Sequence, residues 1–179
     1  MKLLRTIALD PSDTFVFDVP AEPGDWAVSG AFRFYDQDPT MLKGKDRWAF
    51  RGGFLAVRSW GWSTLVQIVE ATEEDRERLV ELFASQLVDR FGAPDLAVAH
   101  AAAEEEVNFA ESLCTHPVDT LLAVHRTARD GEIREAFRAL QRREGAGHGK
   151  AFSFLEVEDD PQPETALNLL DMNLEPGRR

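Results

Sequence analysis

The sequence predicts an α+β fold: a single domain in which a mostly antiparallel, aromatic-rich sheet is packed on one side by two to three helices. Three observations carry this reading. All four Trp, the single Tyr and six of the 12 Phe precede residue 63, and aromatic residues favour strands. At Thr72 the spacing of apolar residues changes from two to about 3.6, the change from strand to helix. Extended segments therefore come first and helices follow, an order that argues against a doubly wound parallel sheet. At 179 residues and 44% hydrophobic content, the chain is long enough to bury a core without metal or disulfide staples.

The elements follow in order. Residues 3–9 and 14–19 read as two strands of a hairpin around Asp10-Pro11-Ser12-Asp13, because Pro pre-sets φ and short polar side chains bond the turn backbone. Residues 26–35 alternate, with Trp26, Val28, Gly30, Phe32 and Phe34 on one face, and read as one strand. The polar stretch 36–46, with Pro39 and Gly44, reads as an exposed loop. Residues 47–58 and 62–70 read as further strands, with a bulge or bend at Gly52-Gly53 and a turn at Gly61. Residues 73–91 read as a helix: Thr72 is its N-cap, Asp75 sits at N3, Leu79, Phe83, Leu87 and Phe91 share a face, and Gly92 with Pro94 stops it. A second helix is expected over 95–114, with Leu96, Ala99, Ala103, Val107, Ala110 and Cys114 on one stripe. Residues 120–126 then read as a strand, 132–143 as a short helix with Ile133, Phe137 and Leu140 inward, 145–149 as a glycine-rich connector and 151–157 as a closing strand. The domain is expected to span 1–157, followed by an extended or partly disordered tail at 158–179.

The formal net charge is -12, which disfavours a nucleic-acid binder that works by neutralising phosphates. The excess is local, since residues 70–119 hold 13 acids against 3 bases. One cysteine excludes an internal disulfide framework and any site of four thiolates. No segment approaches the roughly 20 apolar residues of a membrane span, and Met1-Lys2-Leu3-Leu4-Arg5 opens no signal-like apolar run. A cytoplasmic protein with no membrane or nucleic-acid partner is expected.

Leu3-Leu4-Arg5-Thr6-Ile7 with Asp13-Thr14-Phe15-Val16-Phe17, the stretch Trp26-Ala27-Val28-Ser29-Gly30-Ala31-Phe32, the turn Trp60-Gly61-Trp62-Ser63-Thr64, and the segment from Ser112-Leu113-Cys114 through Leu121-Leu122-Ala123-Val124-His125-Arg126 resemble a small bacterial family of unknown function, over residues 1 to about 157. The resemblance implies an accessory role beside redox metalloenzymes and transfers no site residue.

Several constellations bear on chemistry. On a helix, His100, Glu104 and Glu111 fall along one edge of the buried stripe. Imidazole with carboxylates suits zinc, iron or manganese, so these three are the candidate metal ligands, while the plainer reading is an i,i+4 ion pair on a solvated face. Cys114 lies inside the apolar stripe, where a thiol is inert, and His125 shares a strand face with Leu121 and Ala123. Gly145-Ala146-Gly147-His148-Gly149-Lys150 lacks the spacing of a phosphate loop, and no nucleophile elbow occurs. Trp60 and Trp62 could anchor a partner or fill the core. Arg134, Arg138 and Arg142 form a row suited to an acidic partner or a second copy. With no catalytic constellation and no cofactor motif, the sequence favours a non-enzymatic accessory or interaction protein with a protein partner or a homo-oligomeric state; the alternative is a metal-binding protein or metal-dependent enzyme using His100, Glu104 and Glu111.

Overall fold

A computed structural model of the chain describes residues 1–142 and 154–157. The expected connector at 145–149 and tail at 158–179 lie outside the described residues. Among the described residues eight strands form one sheet: β1 (Lys2–Ile7), β2 (Trp26–Val28), β3 (Phe54–Ala56), β4 (Trp62–Ser63), β5 (Leu65–Glu70), β6 (Leu121–Arg129), β7 (Glu132–Arg142) and β8 (Phe154–Val157). Their spatial order is β4-β3-β2-β1-β5-β6-β7-β8, and every neighbouring pair is antiparallel. With the four helices α1 (Asp13–Val16), α2 (Gly44–Gly52), α3 (Glu73–Phe91) and α4 (Leu96–Ser112), the fold is the α+β class the sequence predicts.

The two long helices stand where their caps place them. The Asp75 backbone N–H donates to Thr72 Oγ1 at 3.1 Å, and the Thr72 N–H donates to Asp75 Oδ2 at 3.0 Å, a reciprocal capping box. Gly92 closes α3 in the left-handed region at φ 76, and Asp95 caps α4 by accepting from the Val98 N–H at 2.9 Å. Leu79, Phe83 and Leu87 of α3, and Ala99, Ala103 and Val107 of α4, are buried in the core with Leu4, Val28, Phe54 and Ile68 of the sheet. The small residues on α4 let its backbone approach α3 closely, and α4 also reaches β1 and β2.

Four local expectations are corrected. The hairpin over 3–19 does not form, because residues 13–16 make one helical turn, whose Asp13 carboxylate accepts from Thr64 Oγ1 at 2.5 Å. The strand expected over 26–35 ends at Val28: Gly30 takes φ 80, where a Cβ would stand 2.7 Å from Leu55 Cβ, and the chain turns into a 3-10 helix, Ala31–Phe34, that still buries Phe32 and Phe34. The strand expected over 47–58 is instead α2 followed by β3. The helix expected over 132–143 is β7, which pairs with β6 from Leu121↔Leu140 to Arg129↔Glu132. The two strands are joined by Asp130 (φ 54) and Gly131 (φ 79), both left-handed, the two-residue turn that Asp-Gly favours in hairpins. Ile133, Phe137 and Leu140 fit a helical period, but Ile133, Glu135, Phe137 and Ala139 also fit a period of two, and pairing with β6 decides the choice.

Candidate functional site

A buried arginine organises the centre of the molecule. In β6 the inward face runs Leu122, Val124, Arg126, and the Arg126 side chain is fully buried. Its Nη1 donates to the carbonyls of Gly53 at 2.7 Å, Phe50 at 3.1 Å and Ala49 at 3.4 Å, so it caps the C-terminal end of α2, where the Ala49 carbonyl also accepts from the Gly53 N–H at 3.0 Å and the carbonyls beyond it lack helical partners. Its Nη2 donates to the Ser29 carbonyl and to Ser29 Oγ at 3.2 Å. Its Nε donates to Glu135 Oε2 at 2.8 Å, and Ser29 Oγ donates to the same oxygen. The guanidinium thus ties together β2, α2, β6 and β7, with donors on all three nitrogens used. Burial lowers its affinity for the proton, and the Glu135 carboxylate opposes that effect.

Glu106 of α4 and Tyr35 stand close enough to this network to feel its charges. The Glu106 carboxyl is pushed up to about 7, first by burial and then by the neighbouring Glu135 charge, with Arg126 pulling the other way. Partial desolvation raises the Tyr35 hydroxyl as well, although the residue remains 69% exposed, followed by the charges of Glu106 and Glu135. Glu106 makes no hydrogen bond or ion pair among the described residues, and the donor groups of Arg126 are engaged elsewhere. Its position follows from helix geometry: Ala99, Ala103, Glu106 and Ala110 are spaced by four, three and four residues, which puts the carboxyl on the inward stripe.

Glu106 opens onto a cleft of about 380 Å³, between the end of α3, the turn Gly92-Ala93-Pro94, the first half of α4 and the 3-10 helix. Phe32, Tyr35, Leu87, Phe91 and Val98 make its wall mostly apolar, and Glu105 joins Glu106 on the α4 side. The Phe32 and Phe91 rings meet edge to face, centroids 5.0 Å apart at 89°. Phe91 and Val98 remain 43% and 51% exposed, an apolar rim open to solvent. Tyr35 also borders a second, more polar cavity between residues 37–40 and the Asp130-Gly131 turn.

The residues singled out by sequence fall elsewhere. Glu104 and Glu111 do converge, but on Arg76: its Nη1 lies 4.0 Å from Glu104 and its Nε 3.7 Å from Glu111, and its Nη2 donates to Asn108 at 2.6 Å. A guanidinium occupies the place a metal ion would need, and His100 is exposed. Among the described residues no group of three His, Cys, Asp or Glu side chains is arranged to hold a metal, and Glu104 and Glu111 stand in an ion-pair cluster that joins α3 and α4. Trp60 and Trp62 are buried, at 9% and 8% exposure, with Trp62 stacked on Phe34 at 5.4 Å; they belong to the core, and it is Trp48 of α2 that is exposed. Arg134 and Arg138 are exposed on β7, about 13 Å apart at strand rise instead of one helical turn, while the Arg142 side chain lies outside what the structure describes. The charges of Arg51 and Arg138, after burial, hold the half-buried His125 imidazole below its ordinary range.

Cys114 is buried just beyond α4, its Sγ 3.4 Å from the Ala110 carbonyl, and burial pushes the thiol up to about 12. At pH 8 the native thiolate fraction is then on the order of 1 in 10,000, against roughly a quarter for a free thiol. Modification by a thiol reagent is expected to be at least about a hundredfold slower in the native protein than in denaturant, followed by mass. Equal rates would show that the end of α4 opens.

No curated protein and no solved structure matches the chain. A family model does, over residues 1–152, which takes in both long helices, the Arg126 network and the whole cleft. The chain belongs to this family, DUF6505, a family of unknown function.

Proposed function

We propose that this protein is a non-enzymatic accessory protein that works by binding, and that the cleft between α3, α4 and the 3-10 helix is its binding site. The observation that carries the reading is the cleft itself: a concave, largely apolar wall with converging polar groups and a carboxyl of perturbed proton affinity, within the size range of small-molecule sites. The Arg126 network supports a binding role, because its hydrogen bonds to Ser29 fix the chain just before the 3-10 helix that brings Phe32 and Tyr35 to the cleft, and preorganisation favours affinity. An accessory place beside a redox metalloenzyme is proposed on the resemblance alone. No observation favours the metal-dependent alternative.

The test is to fill the cleft. Ala102 lines it and is exposed, so Ala102→Trp should occupy the space without disturbing the core. The neutral fluorophore N-phenylnaphthylamine is expected to bind the wild type saturably and at least about tenfold more weakly to the variant, with the thermal midpoint unchanged. Absence of saturable binding, or equal binding by both proteins, would overturn the reading.

A further inference from the structure

Resting on the cleft as a binding site, we propose that its occupant is a small organic cation, an alkylated ammonium head on an apolar body, with the head seated between Glu106 and the Phe32, Tyr35 and Phe91 rings. Aromatic faces attract a cation through their quadrupoles, and this attraction grows when the ion is desolvated. Phe32 and Phe91 stand nearly perpendicular, 89° at 5.0 Å, so they offer a corner rather than a flat platform. Tyr35 shares the same wall. Methyl groups on the nitrogen suit such a corner, because they need no hydrogen-bond acceptors and fill apolar space.

The charge balance points the same way. Glu105 and Glu106 both line the cleft, and among the described residues no Lys, Arg or His does. Four groups face or adjoin the Glu106 carboxyl: Glu135 from β7, Arg126 from β6, Tyr35 at the end of the 3-10 helix and Glu105 on α4 itself. Arg126 is committed to Ser29, Glu135 and the end of α2, which leaves Glu106, among the described residues, as a carboxyl with no ion-pair partner of its own beside an apolar cavity. Such a group is costly to ionise until a cation arrives. A bound ammonium supplies the missing charge, and at pH below about 7 Glu106, held up to about 7 in the free protein, gives up its proton as the ligand enters.

The probes are octyltrimethylammonium, octanol and octyl sulfate, which share one apolar body and differ only in the head, titrated against the full chain at pH 8. The ammonium is expected to bind at least about tenfold more tightly than the alcohol, and the sulfate more weakly still. Glu106→Gln should abolish the advantage of the ammonium over the alcohol, and lowering the pH to 6 should shrink the same advantage in the wild type. If all three probes bind equally and all are lost in Ala102→Trp, the cleft binds but does not select a cation, and this inference fails alone. A preference for the sulfate overturns it as well. If none of the three binds while N-phenylnaphthylamine does, this inference again fails alone, and if N-phenylnaphthylamine fails too, the proposed function fails with it.

Discussion

Replacing Arg126 by leucine is expected to destabilise the fold by about 3–5 kcal/mol, the scale for removing one partner of a buried ion pair. The side chain is fully buried, and leucine would leave the Glu135 carboxylate without its cation and the carbonyls of Ser29, Phe50 and Gly53 without a donor. Each orphaned acceptor adds its desolvation penalty, because water cannot replace the guanidinium without opening the core. In a chain of this size each kcal/mol moves the thermal midpoint by about 2–4 °C, so a fall of roughly 10 °C or more is expected. Lysine should rescue little, since an ammonium cannot reproduce the planar fork that reaches β2, α2 and β7 together. Glu135→Gln should cost less, because an amide oxygen can still accept from Arg126 Nε and from Ser29 Oγ. A midpoint for Arg126→Leu within about 2 °C of wild type would mean that α2 is held by other contacts.

The same residue explains why part of the fold could be read from sequence and part could not. The helices α3 and α4 carry their own instructions: Thr72 with Asp75, Asp95, Gly92, and apolar residues in step with the helix. Nothing local marks α2. Its N-terminal flank, Lys43, makes no side-chain cap, and the partner of its C-terminal carbonyls is more than seventy residues downstream. Gly30 likewise interrupts an alternation that continues past it, because a left-handed residue pressed against Leu55 leaves no periodic trace. By contrast the Asp130-Gly131 dipeptide marks the hairpin turn directly in the sequence, and it competes there with the helical spacing of Ile133, Phe137 and Leu140.

The site shows the same division. Glu106 sits in the run Glu104-Glu105-Glu106, which on composition reads as a solvated face, yet its spacing from Ala99, Ala103 and Ala110 marks it as inward. Arg126 follows Leu122 and Val124 in a strict alternation and is inward for the same reason. Both were legible as charged residues at apolar positions. The aromatic corner was not, since Phe32 and Phe91 meet only through the packing of α3 on the 3-10 helix.

Stability is expected to fall as the pH rises from about 5 to 8, and Glu106→Gln should remove much of that slope. The folded protein holds the Glu106 carboxyl protonated up to about 7, well above the ordinary 4.5, so between these values the native state binds more protons than the unfolded chain. Its contribution is fully present below pH 4.5 and is lost as the pH passes through about 7. A full shift would correspond to about 3 kcal/mol at roughly 1.4 kcal/mol per pH unit. The half-buried position of the carboxyl, which leaves water some access, reduces this to about 2 kcal/mol. His125 acts in the opposite sense: its depressed proton affinity costs stability as the pH falls below its ordinary 6.5, so the wild-type curve alone mixes two slopes. The difference between wild type and Glu106→Gln isolates the carboxyl, because His125 titrates in both proteins. Denaturant unfolding at pH 5, 6, 7 and 8 should show the variant gaining about 2 kcal/mol on the wild type across the series. Parallel curves would place Glu106 in contact with solvent, as a carboxyl that the Glu135 charge and the apolar wall of the cleft do not reach.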